Sequence, residues 1–146
     1  MNKLSTNQYF KTLKITHVTM VFIQFIFILA ALFLREEGYI RPVSGQFKVF
    51  RYIVPLFVLS GLYEGNVLYK RKLISAVKRS TLAKKLEIYR SGLIIRYVLW
   101  EAPSLLAIAA YVITGIYIYL GLSGVIILVF LFNRPTMNKV KRDLEL

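Results

Sequence analysis

The sequence predicts an all-α fold, a polytopic membrane protein whose four transmembrane helices form a small bundle with both termini on the cytoplasmic side. Three observations carry that expectation. Apolar residues make up 57% of the 146 residues and charged residues only 18%, where a soluble domain keeps about a quarter of its residues charged. The mean hydropathy is +0.58. The charge is also unevenly placed: four stretches are nearly free of it, and most of the 20 basic residues lie between or beside them.

The first stretch, 18–34, reads VTMVFIQFIFILAALFL, with Gln24 as its one strongly polar residue. Its length is close to the minimum for crossing a hydrocarbon core about 30 Å thick. It is long for a signal-peptide core, and no small-x-small cleavage site precedes Arg35. Ahead of it, Leu4, Tyr9, Phe10 and Leu13 among polar residues fit a short interfacial helix. The second stretch, 50–69, contains Pro55, Gly61, Glu64, Gly65 and Asn66. The third and fourth are cut from one weakly polar run, 92–132, which at about 41 residues suits two crossings of about 20 each. The segment TGIYIYLGLSG, with Gly115, Gly121 and Gly124 flanking Tyr117 and Tyr119, supplies the turn and gives spans at 92–113 and 115–133. An alternative lays 92–103 on the surface and crosses once, from about 105 to 132.

Orientation follows from lysine and arginine. The 70–91 connection carries Lys70, Arg71, Lys72, Lys78, Arg79, Lys84, Lys85 and Arg90, the tails add seven more, and the turn between the last two spans carries none. The positive-inside rule then puts both termini and the central loop in the cytoplasm, against a weaker opposing set at Arg35, Arg41, Lys48 and Arg51. Within the loop, Leu73, Ile74 and Val77 before Ser80-Thr81, and Leu82, Leu86 and Tyr89 after it, sit at helical spacing. Two helical extensions meeting at Ser80-Thr81 are expected, with Thr81 as a cap for the second. At the C-terminus, Arg134-Pro135 stops the last span, and Thr136 opens a short amphipathic helix with Val140 and Leu144.

Composition excludes much chemistry. With no cysteine there is no disulfide, thiolate zinc site, iron–sulfur cluster or catalytic thiol, and with one histidine, His17, no His-rich metal site. Only seven carboxylates are present, and no Walker A or G-x-G-x-x-G motif occurs. Glu36-Glu37-Gly-Tyr-Ile-Arg41 matches the E-E-x-x-x-R pattern of intramembrane CAAX-type proteases, but the further histidines those enzymes use are missing. No catalytic residue, cofactor or metal is expected. The net charge of +13 is read as juxtamembrane attraction to anionic headgroups rather than nucleic-acid binding, because aromatics do not interleave with the basic residues as stacking platforms would.

The informative residues are the charges inside the predicted spans. Glu64 on the second span and Arg96 on the third both fall about 6–8 Å below the cytoplasmic boundary, which predicts an ion pair. Gly61-x-x-x-Gly65 offers a small-residue face for a close crossing of the two spans, with Trp100 one turn from Arg96 for a cation–π contact. Glu101 lies about 140° around the helix from Arg96, near mid-membrane, and needs a different partner. Pro103 leaves the Leu99 carbonyl without its helical donor, so a kink or a neighbouring group is expected there, and Pro55 is a second kink candidate. The functional expectation is a small integral protein of a bacterial-type inner membrane with no catalytic activity of its own, acting as a subunit, assembly factor or modulator of a larger membrane system. Its partners would be anionic headgroups at the basic loop and a membrane protein or further copies of itself. The alternative is a homo-oligomeric proton or small-ion conductor that uses Glu101.

Overall fold

The structure is a computed structural model that describes residues 3–40 and 47–145. It is all-helical: α1 (Lys3–Glu36), a 3₁₀ turn at Phe47–Val49, α2 (Phe50–Val77), α3 (Leu82–Thr114), α4 (Ile118–Phe132) and α5 (Met137–Asp143). Arg41 of the E-E-x-x-x-R match lies outside the described residues, and Glu36 and Glu37 are exposed.

Several boundaries fall where local chemistry puts them. α2 gives way to α3 across Lys78–Thr81, with Thr81 in the N-cap position in extended backbone, although its side chain makes no capping bond. Thr136 does cap α5, accepting a bond from the Lys139 N–H at 3.3 Å. The 92–132 run divides at Gly115, whose φ of 75° is costly for any residue with a Cβ. Its N–H donates to the Tyr111 carbonyl at 2.7 Å, which closes α3. Gly121 and Gly124 lie inside α4 rather than in the turn. The N-terminal segment is not a separate interfacial helix: α1 runs unbroken for 34 residues, because nothing between Lys3 and Glu36 breaks a helix.

Contact pairs fix the directions of the helices. His17 meets Tyr97 and Gln24 meets Ser104, so α1 and α3 are parallel. Gly61 meets Leu99 and Gly92 meets Lys72, so α2 and α3 are antiparallel. Arg96 meets Asn133 and Ser104 meets Ser123, so α4 returns along α3. α3 therefore touches each of the other three and forms the centre of the bundle, with Tyr89, Tyr97, Trp100, Ala107 and Tyr111 at most 1% exposed.

The contact between α2 and α3 is backbone-close. A Cβ on Gly61 would lie 2.5 Å from the Leu99 carbonyl oxygen and 2.6 Å from Pro103 Cγ, and one on Gly65 would lie 2.8 Å from Trp100 Nε1. Leu99 is the residue whose carbonyl Pro103 leaves without an amide donor. Gly61 packs directly against that oxygen, with no room for a side chain between them. α3 runs unbroken through Pro103, and α2 through Pro55. The expected kinks are not breaks, and at Pro103 the neighbouring helix packs closely over the freed carbonyl.

Polarity is distributed inside out. Gln24, Ser104 and Ser123 are fully buried, while Phe22, Leu29, Leu59 and Phe132 are 63–84% exposed, far more exposed apolar surface than a soluble monomer carries. α1 over Gln8–Glu36 and α3 over Leu82–Thr114 are each long and apolar enough to cross a membrane, and α4 with α5 joins them only if the pair is one span bent by 79°. α2 does not qualify, since Glu64 and Asn66 dilute its apolar run and Arg51 and Lys70 bound it. Two or three crossing helices, rather than four, thus follow from length and composition.

Gly61→Ala and Gly65→Ala should each lower stability by about 1–3 kcal/mol through overpacking. Gly121→Ala, where an added methyl would meet nothing within 4 Å, should be neutral or raise stability by up to about 1 kcal/mol. Reversible unfolding in mixed micelles measures both, and equal effects at the three positions would refute the close contact.

Candidate functional site

The polar residues gather along α3 at three levels. At the first, Arg96 is 6% exposed. Its guanidinium carbon lies 4.2 Å from the centre of the Trp100 ring and 4.9 Å from that of Tyr69. Trp100 is one helical turn along α3, and Tyr69 is brought in by the antiparallel α2. The cation thus lies against two aromatic rings, an arrangement worth more than 1 kcal/mol per ring when desolvated. An Arg96 Nη donates to Asn133 Oδ1 at 2.8 Å. Asn133 spends its own N–H on the Val129 carbonyl at 2.9 Å, which fixes the amide with its oxygen toward α3.

The expected partner of Arg96 is not the one observed. Glu64 is exposed on the outer face of α2 and makes no hydrogen bond or ion pair among the described residues. The reason is rotational: the buried face of α2 runs through Gly61, Gly65 and Tyr69, and Glu64 stands about 100° from Gly65, on the flank of that face. The balancing carboxylate comes from the tail. Asp143 on α5 accepts from the Tyr69 hydroxyl at 2.8 Å and from the Tyr89 hydroxyl at 3.4 Å. Arg96 thus sits on the face of a tyrosine whose hydroxyl end is bound to a carboxylate.

One turn further in, His17, Tyr97, Trp100 and Phe130 form an aromatic layer between α1, α3 and α4, with ring centres 5.2 to 6.4 Å apart. Beyond it, the Ser104 hydroxyl donates to Gln24 Oε1 at 2.9 Å and lies 2.7 Å from the Ser123 hydroxyl. Ser104 has one proton and gives it to Gln24, so Ser123 is the donor in the second bond. These three fully buried residues tie α1, α3 and α4 together. The buried atoms His17 Nδ1, Gln24 Nε2, Arg96 Nε, Tyr97 Oη and Trp100 Nε1 make no hydrogen bond among the described residues.

At the far end, Arg35 reaches from the last turn of α1 to the C-terminus of α3. Its guanidinium donates to the Val112 carbonyl at 2.9 Å and lies 5.7 Å from the centre of the Tyr111 ring. It also packs against Gly115, where an added Cβ would collide with it. A cation there satisfies a free terminal carbonyl and opposes the negative end of the helix dipole.

Of the residues picked from sequence, Arg96, Trp100, Gly61, Gly65 and Pro103 come together. Glu64 does not join them, and Asn66 bonds its own helix, donating to the Leu62 carbonyl at 2.9 Å. Glu101 is half-buried, and its side chain makes no hydrogen bond among the described residues. It stands about 40° from Tyr97 and 60° from Ser104, the α3 residues that touch α1, and so belongs to the α1 side. Pro55 is half-buried, away from the cluster. Sequence reading missed Tyr69, Asn133 and Asp143 around Arg96, and the Gln24–Ser104–Ser123 set. The available signal was that polar residues in apolar helices turn inward.

The chemistry available is that of holding charge and polar contacts in a dry interior. Ser104 and Ser123 bond to each other and to an amide, with no base to activate either one. Among the described residues, no three His, Asp or Glu side chains are grouped as metal ligands would be.

Asn133→Ala should destabilise the fold by about 1.5–3 kcal/mol, because it removes a hydrogen bond to a buried charge. Glu64→Gln should stay within about 0.5 kcal/mol of the parent. Ser104→Ala should lose about 1–3 kcal/mol by stranding Gln24, and adding Gln24→Leu and Ser123→Ala should recover part of that. Detergent unfolding curves decide among these, and a large loss on Glu64→Gln would revive the Glu64–Arg96 pair. No protein-family model matches the chain, and no match is found for it among curated proteins or solved structures.

Proposed function

We propose that this chain is a non-catalytic, multi-pass component of a bacterial-type cytoplasmic membrane, acting as a subunit, assembly factor or modulator of a larger membrane system. In this reading α1 to α4 make four crossings with both termini and the α2–α3 hairpin inside. The alternating directions of the four helices and the basic residues at the hairpin support that topology. At 15 residues, α4 is about 22 Å long, so it crosses only with local thinning of the bilayer or with help from its flanking turns.

One observation carries the assignment. Asn133, Ser104, Ser123, Gln24 and Asp143 pair with other groups of the bundle, whereas two carboxyls on apolar helices, Glu64 and Glu101, have no hydrogen bond or ion pair among the described residues. A carboxyl in that position is expensive unless another group meets it. A second membrane protein, or a second copy of this one, supplies such a group. The basic hairpin then faces anionic headgroups, and no nucleic acid is involved.

The test is a pull-down in mild detergent with tagged protein, comparing the parent with Glu64→Gln and Glu101→Gln. A specific partner or a stable homo-oligomer should be recovered with the parent and reduced by at least one substitution; bait alone in every arm would refute the assignment. A second reading, proton or small-ion conduction through an oligomer using Glu101, is favoured by the file of buried polar groups from Arg96 and His17 through Tyr97 to Gln24, Ser104 and Ser123. It requires a pH-dependent flux in proteoliposomes that Glu101→Gln abolishes; identical flux in the two proteins would eliminate it.

A further inference from the structure

The α2–α3 hairpin holds a recess of about 400 Å³ lined by Lys72, Arg79, Lys84, Glu87, Ile88 and Ser91. That volume lies within the range of roughly 300–1,000 Å³ typical of small-ligand sites. Two features distinguish it from a merely basic surface. The stem of Lys72 is set against α3 where Gly92 leaves room: a Cβ on Gly92 would come 2.9 Å from Lys72 Cβ. The root of one lining cation is therefore set by helix packing, while its ammonium end stays exposed. At the rim, α3 begins without an acidic residue in its first turn and without a side-chain bond from Thr81, so its first N–H groups remain open to an external acceptor.

The charge balance points the same way. Three cations line the recess against one carboxylate, and none of the side chains of Lys72, Arg79, Lys84 and Glu87 takes part in an ion pair or hydrogen bond among the described residues. Ser91 adds a hydroxyl donor at the same wall. Two net positive charges, a hydroxyl and a free helix start around a cavity of this size match a phosphate group, which carries negative charge and several acceptor oxygens.

We propose that this recess is a discrete binding site for a phosphate-bearing anion, held by Lys72, Arg79 and Lys84 with Ser91 as an added donor. The anion is either the headgroup of an anionic phospholipid, a source that rests on the hairpin lying at the membrane face, or a free phosphoryl compound from solution. Glu87 sets the selectivity by opposing excess negative charge.

Binding to the purified full chain in neutral detergent is the test. Dioleoylphosphatidylglycerol against dioleoylphosphatidylcholine in mixed micelles probes the lipid source, and inorganic pyrophosphate probes the soluble one. The parent should bind the phosphatidylglycerol or the pyrophosphate saturably, and whichever binds names the source. Lys72→Gln with Arg79→Gln and Lys84→Gln should weaken that binding by about tenfold or more, since each cation near an anionic headgroup is worth about 1 kcal/mol. Lys70→Gln with Arg71→Gln and Lys78→Gln removes the same charge outside the recess and should change binding less than about twofold. Glu87→Gln, which removes no cation, should tighten binding by about threefold to fivefold, and it serves as the decisive variant if the recess triple fails to fold. Equal weakening by the two triples, or no saturable binding of either probe, would overturn the site. Release of the chain from membranes by alkaline extraction would instead overturn the membrane reading, and it is scored separately.

Discussion

The bundle depends on how closely α2 can approach α3. Gly61 and Gly65 have no side chains, and that absence brings the backbone of one helix against the Leu99 carbonyl, the Pro103 ring and the Trp100 indole of the other. Within a membrane there is little hydrophobic drive to pair helices, so packing of this kind, with weak and conventional hydrogen bonds, supplies the association. Two features that each weaken a structure by themselves are joined here. A proline that strands a carbonyl is matched by a glycine that packs against it. The same approach carries Tyr69 onto the guanidinium of Arg96, so the placement of the buried charge follows from the placement of two glycines.

That buried charge is tolerated because its environment is built from several elements. Aromatic faces come from α2 and α3, an amide oxygen from the end of α4, and a carboxylate, one tyrosine removed, from α5. The break after α4 gives α5 its place: the chain turns by 79° and lays its short C-terminal helix against the bundle near Tyr69 and Tyr89. Val140 and Leu144 are buried there, at 4% and 0% exposure, which seats Asp143 between Tyr69 and Tyr89. Arg35 does the corresponding work at the opposite end of α3, on the carbonyls that Gly115 exposes. α3 is thus held by a cationic contact at its C-terminus, by the Arg96 cluster near its middle, and along its length by small residues and hydroxyls.

The two carboxyls without a partner among the described residues are as informative as the arginine that found several. Glu64 and Glu101 lie on different flanks, one beside the α2–α3 contact and the other on the α1 side of α3. An arrangement that served only internal register would have turned at least one of them inward. Their positions are the ground on which the proposed function looks for a partner at the outer surface of the bundle rather than in its core.

Period, composition and charge were enough to read the helical class, the break at Lys78–Thr81, the division of 92–132, the stop at Pro135 with its Thr136 cap, the Gly61–Gly65 contact, and the stacking of Arg96 on Trp100. Each is a local property, or involves one pair of helices joined by a short loop. Equal depth in the membrane was not enough to pair Glu64 with Arg96, because depth is set by position along a helix, whereas contact also needs rotation about its axis. Only the assembled bundle sets that rotation, and it turned Glu64 outward and brought in Asn133 and Asp143, which are 37 and 47 positions further along the chain than Arg96. The amino-acid order thus determined which segments are helical and where they end; the packing of α3 against three neighbours decided which polar groups meet, since side chains distant in sequence become neighbours only when the helices that carry them are docked.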